Sequence, residues 1–219
     1  MDLTSINTIR TLSMDAVQAA NSGHPGTPMA DRDPAPDANG VTEAWKLILQ
    51  LHHEPAVLVL SRQAVPTIDR KKYAAASGLT RGAYVLADAP GADPEVILIG
   101  TGSEVALCLQ AYEKLSKEGV RVRVVSVPSW ELFDDQDRSY RESVLPRNVK
   151  ARVSVEQASD FGWSKYTGCD GHNVCIETFG ASAPLKHLLK KFGFSMENIV
   201  AAAKKQIAQH QTRPLTRDV

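Results

Sequence analysis

Residues 95–127 read EVILIGTGSEVALCLQAYEKLSKEGVRVRVVSV, and their pattern predicts one strand–helix–strand unit. Apolar side chains dominate residues 96–99 and 122–127 without strict alternation, which is typical of strands covered on both faces of a parallel sheet. The residues between them repeat apolar side chains at helical spacing, with Ser103 in the N-cap position and Gly119 placed to end the helix. Such a crossover helix begins at the carboxyl edge of the sheet, where α/β proteins usually bind ligands.

The turn between the first strand and the helix carries Gly100 and Gly102. Paired glycines can let the backbone approach a phosphate, as in dinucleotide-binding proteins. Val105 replaces the third glycine of that fingerprint, however, and the second strand runs into Pro128 rather than ending in an acidic residue. We therefore expect no nicotinamide or flavin site, and we favour a tight turn that needs small residues for steric reasons. A small-ligand site at this turn remains an alternative.

Composition excludes several classes of function. The chain has 219 residues, and its 25 Lys and Arg balance 25 Asp and Glu, so the charge favours neither nucleic acid nor an anionic membrane surface. Three cysteines, an odd number without metal-ligand spacing, are typical of reduced intracellular thiols; these are Cys108, Cys169 and Cys175. Because no apolar run approaches the roughly 20 residues of a membrane-spanning helix, we expect a soluble cytoplasmic protein.

The N-terminal segment combines an amphipathic helix with a rigid loop. Apolar residues at helical spacing over residues 3–20 predict the helix, and Asn21-Ser22-Gly23-His24-Pro25-Gly26 ends it. A histidine held on such a turn can move a proton or donate to a phosphate, because its ordinary pKa is about 6.5. On its own, His24 would more often be a surface residue.

Residues 12–30, LSMDAVQAANSGHPGTPMA, closely resemble the N-terminal signature of the transketolase family. In that family the histidine of S-G-H-P-G lies in the active site, near thiamine diphosphate and the sugar substrate. The resemblance therefore implies an active-site role for His24.

Residues 31–81 depart from the family's order of motifs. Residues 31–40 are rich in Pro, Asp and Gly and predict a linker, and they resemble an R-P-A-D-x-N segment that lies far downstream in transketolases. The sequence thus passes from the family's first motif to its last third. Beyond the linker, the pattern predicts a helix over 42–53, a buried strand over 56–60 and a connecting loop over 67–81.

Arg62 follows the predicted strand at 56–60. An arginine in this place can bind a phosphate or carboxylate bidentately, although a surface salt bridge explains it equally well. Residues 60–66, LSRQAVP, match a transketolase motif whose arginine contacts the phosphate of the sugar. The resemblance therefore implies phosphate binding by Arg62.

Residues 82–210 resemble the transketolase C-terminal domain almost throughout. The matching stretches occur in the family's order: GAYVLAD at 82–88, VPSWELF at 127–133, SVEQAS at 154–159, FGW at 161–163 and TFGASAP at 178–184. The implied fold is a mostly parallel sheet with flanking helices that takes no direct part in the chemistry. Periodicity independently predicts strands at 151–155 and 173–177 and helices at 184–192 and 197–207.

These observations divide the chain into four parts. Residues 1–30 resemble a remnant of the diphosphate-binding domain, and residues 31–81 a linker with a remnant of the pyrimidine-binding domain. Residues 82–210 form the C-terminal domain, and residues 211–219 are a polar tail.

Two groups of residues in the C-terminal half suggest other chemistry. Residues 169–175, CDGHNVC, hold two thiols, a carboxylate and an imidazole, but their spacing differs from that of zinc pairs, so we favour a turn before a strand. Glu156, His172 and His187 could form an acid–base set. We favour a structural hydrogen bond for Glu156.

Family membership implies the transfer of a two-carbon ketol unit between sugar phosphates in the pentose phosphate pathway, with thiamine diphosphate and Mg²⁺ as cofactors. The family holds its metal with a G-D-G motif and a downstream Asn-Asn pair, and neither occurs here. We therefore expect a transketolase-family chain that is inactive alone. The alternative is a non-catalytic interaction module or pseudoenzyme, and the expected partners are a second copy or a full-length transketolase.

Overall fold

One five-stranded sheet forms the centre of the computed structural model, which describes residues 35–52, 55–61, 64–91 and 93–211. The strands lie in the order β1-β3-β2-β4-β5, and only β1 is antiparallel to its neighbour. This arrangement confirms the predicted mostly parallel sheet with flanking helices. The strands are β1 (Tyr84–Ala87), β2 (Val96–Gly100), β3 (Val122–Ser126), β4 (Arg152–Val155) and β5 (His172–Val174).

Seven α-helices and a 3₁₀ helix at Ala76–Arg81 complete the described part of the chain. None of these helices is long and apolar enough to cross a membrane. They are α1 (Ala38–Ile48), α2 (Glu104–Lys117), α3 (Trp130–Asp134), α4 (Arg138–Val144), α5 (Ser164–Thr167), α6 (Leu185–Phe192) and α7 (Met196–Gln211).

The predicted strand–helix–strand unit is confirmed. β2 and β3 pair in parallel, with Val96 opposite Val122, and α2 connects them. Gly119 has a φ of +82° just beyond the helix, where a glycine is favoured. Ser103 occupies the N-cap position, but its hydroxyl does not cap the backbone; it donates to the Glu104 carboxylate instead (3.1 Å).

Helices cover both faces of the sheet, which explains why β2 is apolar at every position. On one face α2 and α7 pack against alternate strand residues, and on the other face α3, α4 and α5 do so. The two cores divide β2 between them: Val96 and Leu98 belong to the first, and Ile97 and Ile99 to the second. A strand buried on both faces cannot alternate apolar and polar side chains.

The prediction of a buried strand at residues 56–60 is wrong. Only Val57 forms an isolated bridge, and Leu60 is 45% exposed. A strand needs a neighbour to accept and donate its backbone hydrogen bonds. Within the described ranges, none of the five strands of the sheet pairs with this segment.

The predicted linker at residues 31–40 ends in ordered structure. The Asp37 carboxylate caps α1 by accepting from the Gly40 backbone N–H (2.9 Å), so the helix begins at Ala38 and not at residue 42. Asp37 is fully buried and also accepts from the Ile68 backbone N–H (2.9 Å) and from Arg70 Nη2 (2.8 Å). The start of α1 is therefore held against residues 68 and 70, which precede the sheet in the sequence.

Helix α1 and residues 68–79 also pack onto the sheet. Ala44 on α1, Ile68 and Leu79 are buried in the same core as α2 and α7. The Tyr73 hydroxyl donates to the Glu113 carboxylate on α2 (2.6 Å), and burial is the first cause that raises the pKa of Tyr73 to about 12. The predicted connecting loop at 67–81 is therefore part of the packed structure.

The last strand is shorter than predicted. β5 ends at Val174 because its partner β4 ends at Val155, and the Ile176 N–H then donates to the Ala158 carbonyl (2.8 Å). Beyond β5, the chain therefore pairs with the loop that follows β4 and is no longer part of the sheet.

Candidate functional site

A cavity of about 610 Å³ lies at the carboxyl ends of three parallel strands. The three segments that follow these strands line it, with residues from 101–104 after β2, from 127–131 after β3 and from 156–163 after β4. Residues 59–61 and Ala35 complete the lining. The volume is in the range of small-molecule sites.

The position of the cavity follows from the order of the strands. The chain leaves β2 toward the face that holds α2, whereas it leaves the neighbouring β4 toward the opposite face, which holds α5. Diverging connections at adjacent strands open a crevice at the carboxyl edge, and open α/β sheets bind ligands there. The cavity occupies this switch point.

The glycine turn after β2 is sterically tight, which supports the steric interpretation of its sequence. A Cβ on Gly100 would lie 3.0 Å from Cys108 Sγ and 3.3 Å from the Val105 backbone nitrogen. Gly102 has a φ of +51°, a conformation that favours glycine. Cys108 is fully buried, as predicted for a small apolar residue, and burial raises the pKa of its thiol.

Glu104 joins the loops on the two sides of the crevice. Its carboxylate is in the first turn of α2, is 5% exposed, and accepts a hydrogen bond from the Ser103 hydroxyl (3.1 Å). Burial raises the pKa of Glu104, and hydrogen bonding from its own backbone, from Ser103 and from Gln157 opposes the shift. Sequence reasoning missed this role, although an acidic residue directly after a glycine turn at a predicted carboxyl edge was an available signal.

Acidic and aromatic side chains dominate the chemistry of the cavity. Three carboxylates line it, those of Glu104, Glu131 and Glu156, together with Trp130 and other aromatic side chains. Among the described lining residues there is no Lys, Arg or His.

The two residues that sequence predicted for substrate contact, His24 and Arg62, lie outside the described residues. The structure therefore does not bring them together or separate them. Ser61, which directly precedes Arg62, lines the cavity.

The structure does not bring Glu156, His172 and His187 together as an acid–base set. Glu156 lies beyond the carboxyl end of β4, where its backbone N–H donates to the Val174 carbonyl (3.0 Å). His172 begins β5 beside Val153, at the other end of the pairing, and burial lowers its pKa. His187 is exposed on α6. The register thus places Glu156 and His172 at opposite ends of one strand pair.

Residues 169–175 form the predicted turn before a strand. Cys169 and Asp170 make the turn, and β5 follows at once. Cys169 is exposed, Cys175 is partly buried, and burial is the first cause that raises the pKa of the Cys175 thiol.

Two family models match the chain. The transketolase-like TK C-terminal domain matches residues 82–195, and the transketolase thiamine diphosphate binding domain matches residues 1–43. A transketolase of Halalkalibacterium halodurans is 46% identical over 168 residues, which are 77% of this chain and 25% of that protein. The chain thus spans about a quarter of the length of the curated relatives it matches.

Solved structures agree with this result. A transketolase from Leishmania mexicana superposes with a TM-score of 0.75 at 39% identity, covering 85% of this chain and 26% of that one. A Pichia stipitis transketolase in complex with sedoheptulose 7-phosphate gives a TM-score of 0.75 at 32% identity, with coverage of 86% and 26%.

Proposed function

Because this chain belongs to the transketolase family, we propose that it serves transketolase chemistry, the transfer of a two-carbon ketol unit between sugar phosphates in the pentose phosphate pathway, and that it does not catalyse this transfer alone. The match of residues 82–195 to the family's C-terminal domain carries the first part of the proposal. The chemistry of the described residues carries the second.

Thiamine diphosphate with Mg²⁺ does not fit the described residues. The diphosphate needs a cation and its ligands, yet the described part of the chain contains no group of three His, Cys, Asp or Glu side chains that could hold a metal ion. The whole sequence also lacks both the G-D-G motif and the Asn-Asn pair of the family.

His24 and Arg62 are the substrate-contacting residues in this proposal. The first belongs to the S-G-H-P-G signature and the second to the L-S-R-Q-x-x-P motif. A bidentate arginine suits a sugar phosphate, and a histidine suits proton transfer near a sugar hydroxyl. Both roles require a cofactor site that another polypeptide supplies.

A calorimetric titration of the pure chain with thiamine diphosphate and Mg²⁺ tests the proposal. We expect no saturable heat, whereas a micromolar site would correspond to about 8 kcal/mol of binding free energy. The matched activity assay uses sedoheptulose 7-phosphate as donor, and the Halalkalibacterium halodurans transketolase serves as the positive control. Saturable cofactor binding or robust ketol transfer by the chain alone would refute the inactive form of the proposal.

A second candidate function is a non-catalytic interaction or pseudoenzyme module. Two phenylalanines favour it: Phe161 after β4 is 87% exposed and Phe179 after β5 is 98% exposed. Large apolar side chains that are exposed to this extent can serve as contacts for a partner. The partner in this proposal is a second copy of the chain or a full-length transketolase.

Light scattering after size-exclusion chromatography distinguishes between the two proposed partners. We expect the chain alone to form a homodimer, or else to co-elute with the full-length enzyme when the two are mixed. The double substitution Phe161→Ser and Phe179→Ser should abolish either complex without unfolding the chain, because both side chains are exposed. If the chain is monomeric and does not co-elute with the full-length enzyme, the interaction module is excluded.

A further inference from the structure

We propose that the outward side of helix α6 is a docking surface for an acidic segment of a partner protein that also carries apolar side chains. Four exposed side chains form this basic face: Lys186, His187, Lys190 and Lys191. The inference goes beyond ketol transfer and does not depend on either candidate function, because it uses neither the cavity nor the two exposed phenylalanines.

Helical spacing places the four basic residues on one side of α6. Lys186 and Lys190 are one turn apart, as are His187 and Lys191, so the two pairs lie side by side. On the opposite side of the helix, Leu189 packs against the core of the sheet. The apolar side therefore attaches the helix to the domain, and the basic face is directed to solvent.

The charge of the basic face is not balanced by neighbouring acidic residues. Within the described residues, none of the ion pairs involves Lys186, Lys190 or Lys191. Residues 178–196 contain no Asp or Glu. Since the chain as a whole is neutral, the excess of positive charge is a local property of this surface, and it favours an acidic partner.

An apolar side chain adjoins the basic face. Leu185 begins α6 directly before Lys186, is 37% exposed, and belongs to neither core of the described structure. It ends a run of exposed residues, 177–187, so the described part of the chain leaves this surface open. A partner segment that combines carboxylates with an apolar residue would contact the lysines and Leu185 together.

The size of the basic face favours a protein segment over a membrane. Basic clusters that bind anionic lipids usually have about four to eight Lys or Arg, whereas α6 carries three lysines. From Lys186 to Lys191 the helix rises about 8 Å. Two or three residues of an extended segment cover this distance, because each spans about 3.3 Å.

Three synthetic peptides of equal length test the surface. They repeat Glu-Glu-Leu-Ser, Gln-Gln-Leu-Ser and Lys-Lys-Leu-Ser, and each is titrated into the full 219-residue chain. The readout is the set of backbone amide signals of α6 in a nitrogen-15 NMR spectrum. We expect the glutamate peptide to shift these signals saturably and to bind at least about tenfold more tightly than the glutamine peptide, a difference of 1.4 kcal/mol. The lysine peptide should not bind.

Substitutions on α6 identify the contacts. The combined variant Lys186→Gln, Lys190→Gln and Lys191→Gln should weaken binding of the glutamate peptide at least about tenfold, because it removes three charges. Leu185→Ser should weaken it about threefold, since an apolar contact is lost. Both variants should keep the urea midpoint of the unaltered chain, because the altered side chains are exposed.

A second triple variant is the matched control. Lys71→Gln, Lys117→Gln and Lys150→Gln remove the same charge from exposed lysines outside α6 and should leave the affinity unchanged. Equal losses in the two triple variants would show that only net charge matters, and would overturn the proposal.

Other results would also overturn the proposal. Equal affinity for the glutamate and glutamine peptides would show that charge does not select the partner. Absence of a saturable shift in α6 in a folded sample would exclude the surface. If phosphatidylserine vesicles shift the α6 signals and the glutamate peptide does not, the surface binds a membrane and not a protein.

Discussion

Asp37 holds α1 to residues 68 and 70 of the same segment. Its buried carboxylate caps α1 and pairs with Arg70, which lies 33 positions away in the sequence. Asp37→Ala removes the cap and leaves the guanidinium without its partner, so we expect a loss of about 3 kcal/mol in the free energy of unfolding. Urea denaturation followed by circular dichroism measures this loss.

An exposed ion pair on the same helix provides the control for Asp37. Glu43 pairs with Lys46 at 2.8 Å on the surface of α1. Glu43→Gln should change the free energy of unfolding by less than about 0.5 kcal/mol, because exposed pairs contribute little. If the two substitutions changed the free energy of unfolding equally, the hydrogen bonds of Asp37 would not be what stabilises this segment.

Glu104 should give the protein a characteristic dependence on pH. Burial raises the pKa of its carboxyl in the folded state above that in the unfolded state. The folded state therefore binds the proton more tightly, and ionisation of Glu104 lowers stability at pH values above the folded pKa. As the pH falls through that pKa toward the unfolded value, this loss of stability is removed.

The substitution Glu104→Gln tests this dependence because glutamine does not titrate. We expect the stability of the unaltered chain, measured relative to that of the variant, to rise as the pH falls from neutral toward the ordinary pKa of a glutamate. Urea midpoints at a series of pH values measure the difference. A constant difference across that range would show that Glu104 titrates alike in the folded and unfolded states.

At the level of elements, the joint between the 3₁₀ helix and β1 depends on Gly82. Its φ is +78°, and a Cβ there would lie 2.2 Å from the Phe133 backbone nitrogen at α3. The added methyl group of Gly82→Ala would push the backbone of α3 away. We therefore expect this substitution to lower the free energy of unfolding by about 3 kcal/mol or more.

Gly91 is the control that distinguishes the cost of a positive φ from the cost of steric crowding at Gly82. Its φ of +82° is nearly the same, but nothing lies within 4 Å of a Cβ placed there. Gly91→Ala should therefore cost only about 1 kcal/mol, which is the penalty of a positive φ alone. Equal losses for Gly82→Ala and Gly91→Ala, measured by urea denaturation, would mean that the contact with α3 is not tight.

Prediction from sequence succeeded for elements whose signal lies within them. The apolar runs of β2 and β3 and the helical spacing of α2 identified three elements and their parallel pairing. The same reasoning failed at residues 56–60, because an apolar run records burial but not whether a neighbouring strand is present. The cap at Asp37 was missed because the surrounding prolines suggested a linker.

At the scale of the whole molecule, residues 35–81 and the C-terminal domain share one core. Ala44, Ile68 and Leu79 are buried against the helices that cover one face of the sheet. A fragment of residues 82–211 loses these contacts and should be less stable than a fragment of residues 35–211 by about 3 kcal/mol, since full burial of one leucine contributes roughly 1.5–3 kcal/mol.

Thermal and urea unfolding of the two fragments under the same conditions tests this expectation. The longer fragment carrying Asp37→Ala should also lose about 3 kcal/mol of unfolding free energy, because it keeps the apolar contacts but loses the buried Asp37–Arg70 pair. If residues 82–211 were as stable as residues 35–211, the earlier segment would be an addition to the domain and not part of its core.

The family, the parallel strand–helix–strand unit and the tight glycine turn could all be predicted from the amino-acid sequence, because each depends on residues that are close along the chain. The structure was needed to show that the segments after β2, β3 and β4 line one cavity, that Glu104 and Gln157 meet there, and that Asp37 pairs with Arg70. These contacts follow from the order of the strands and from the face of the sheet that each helix covers. Local patterns of apolar side chains do not encode either.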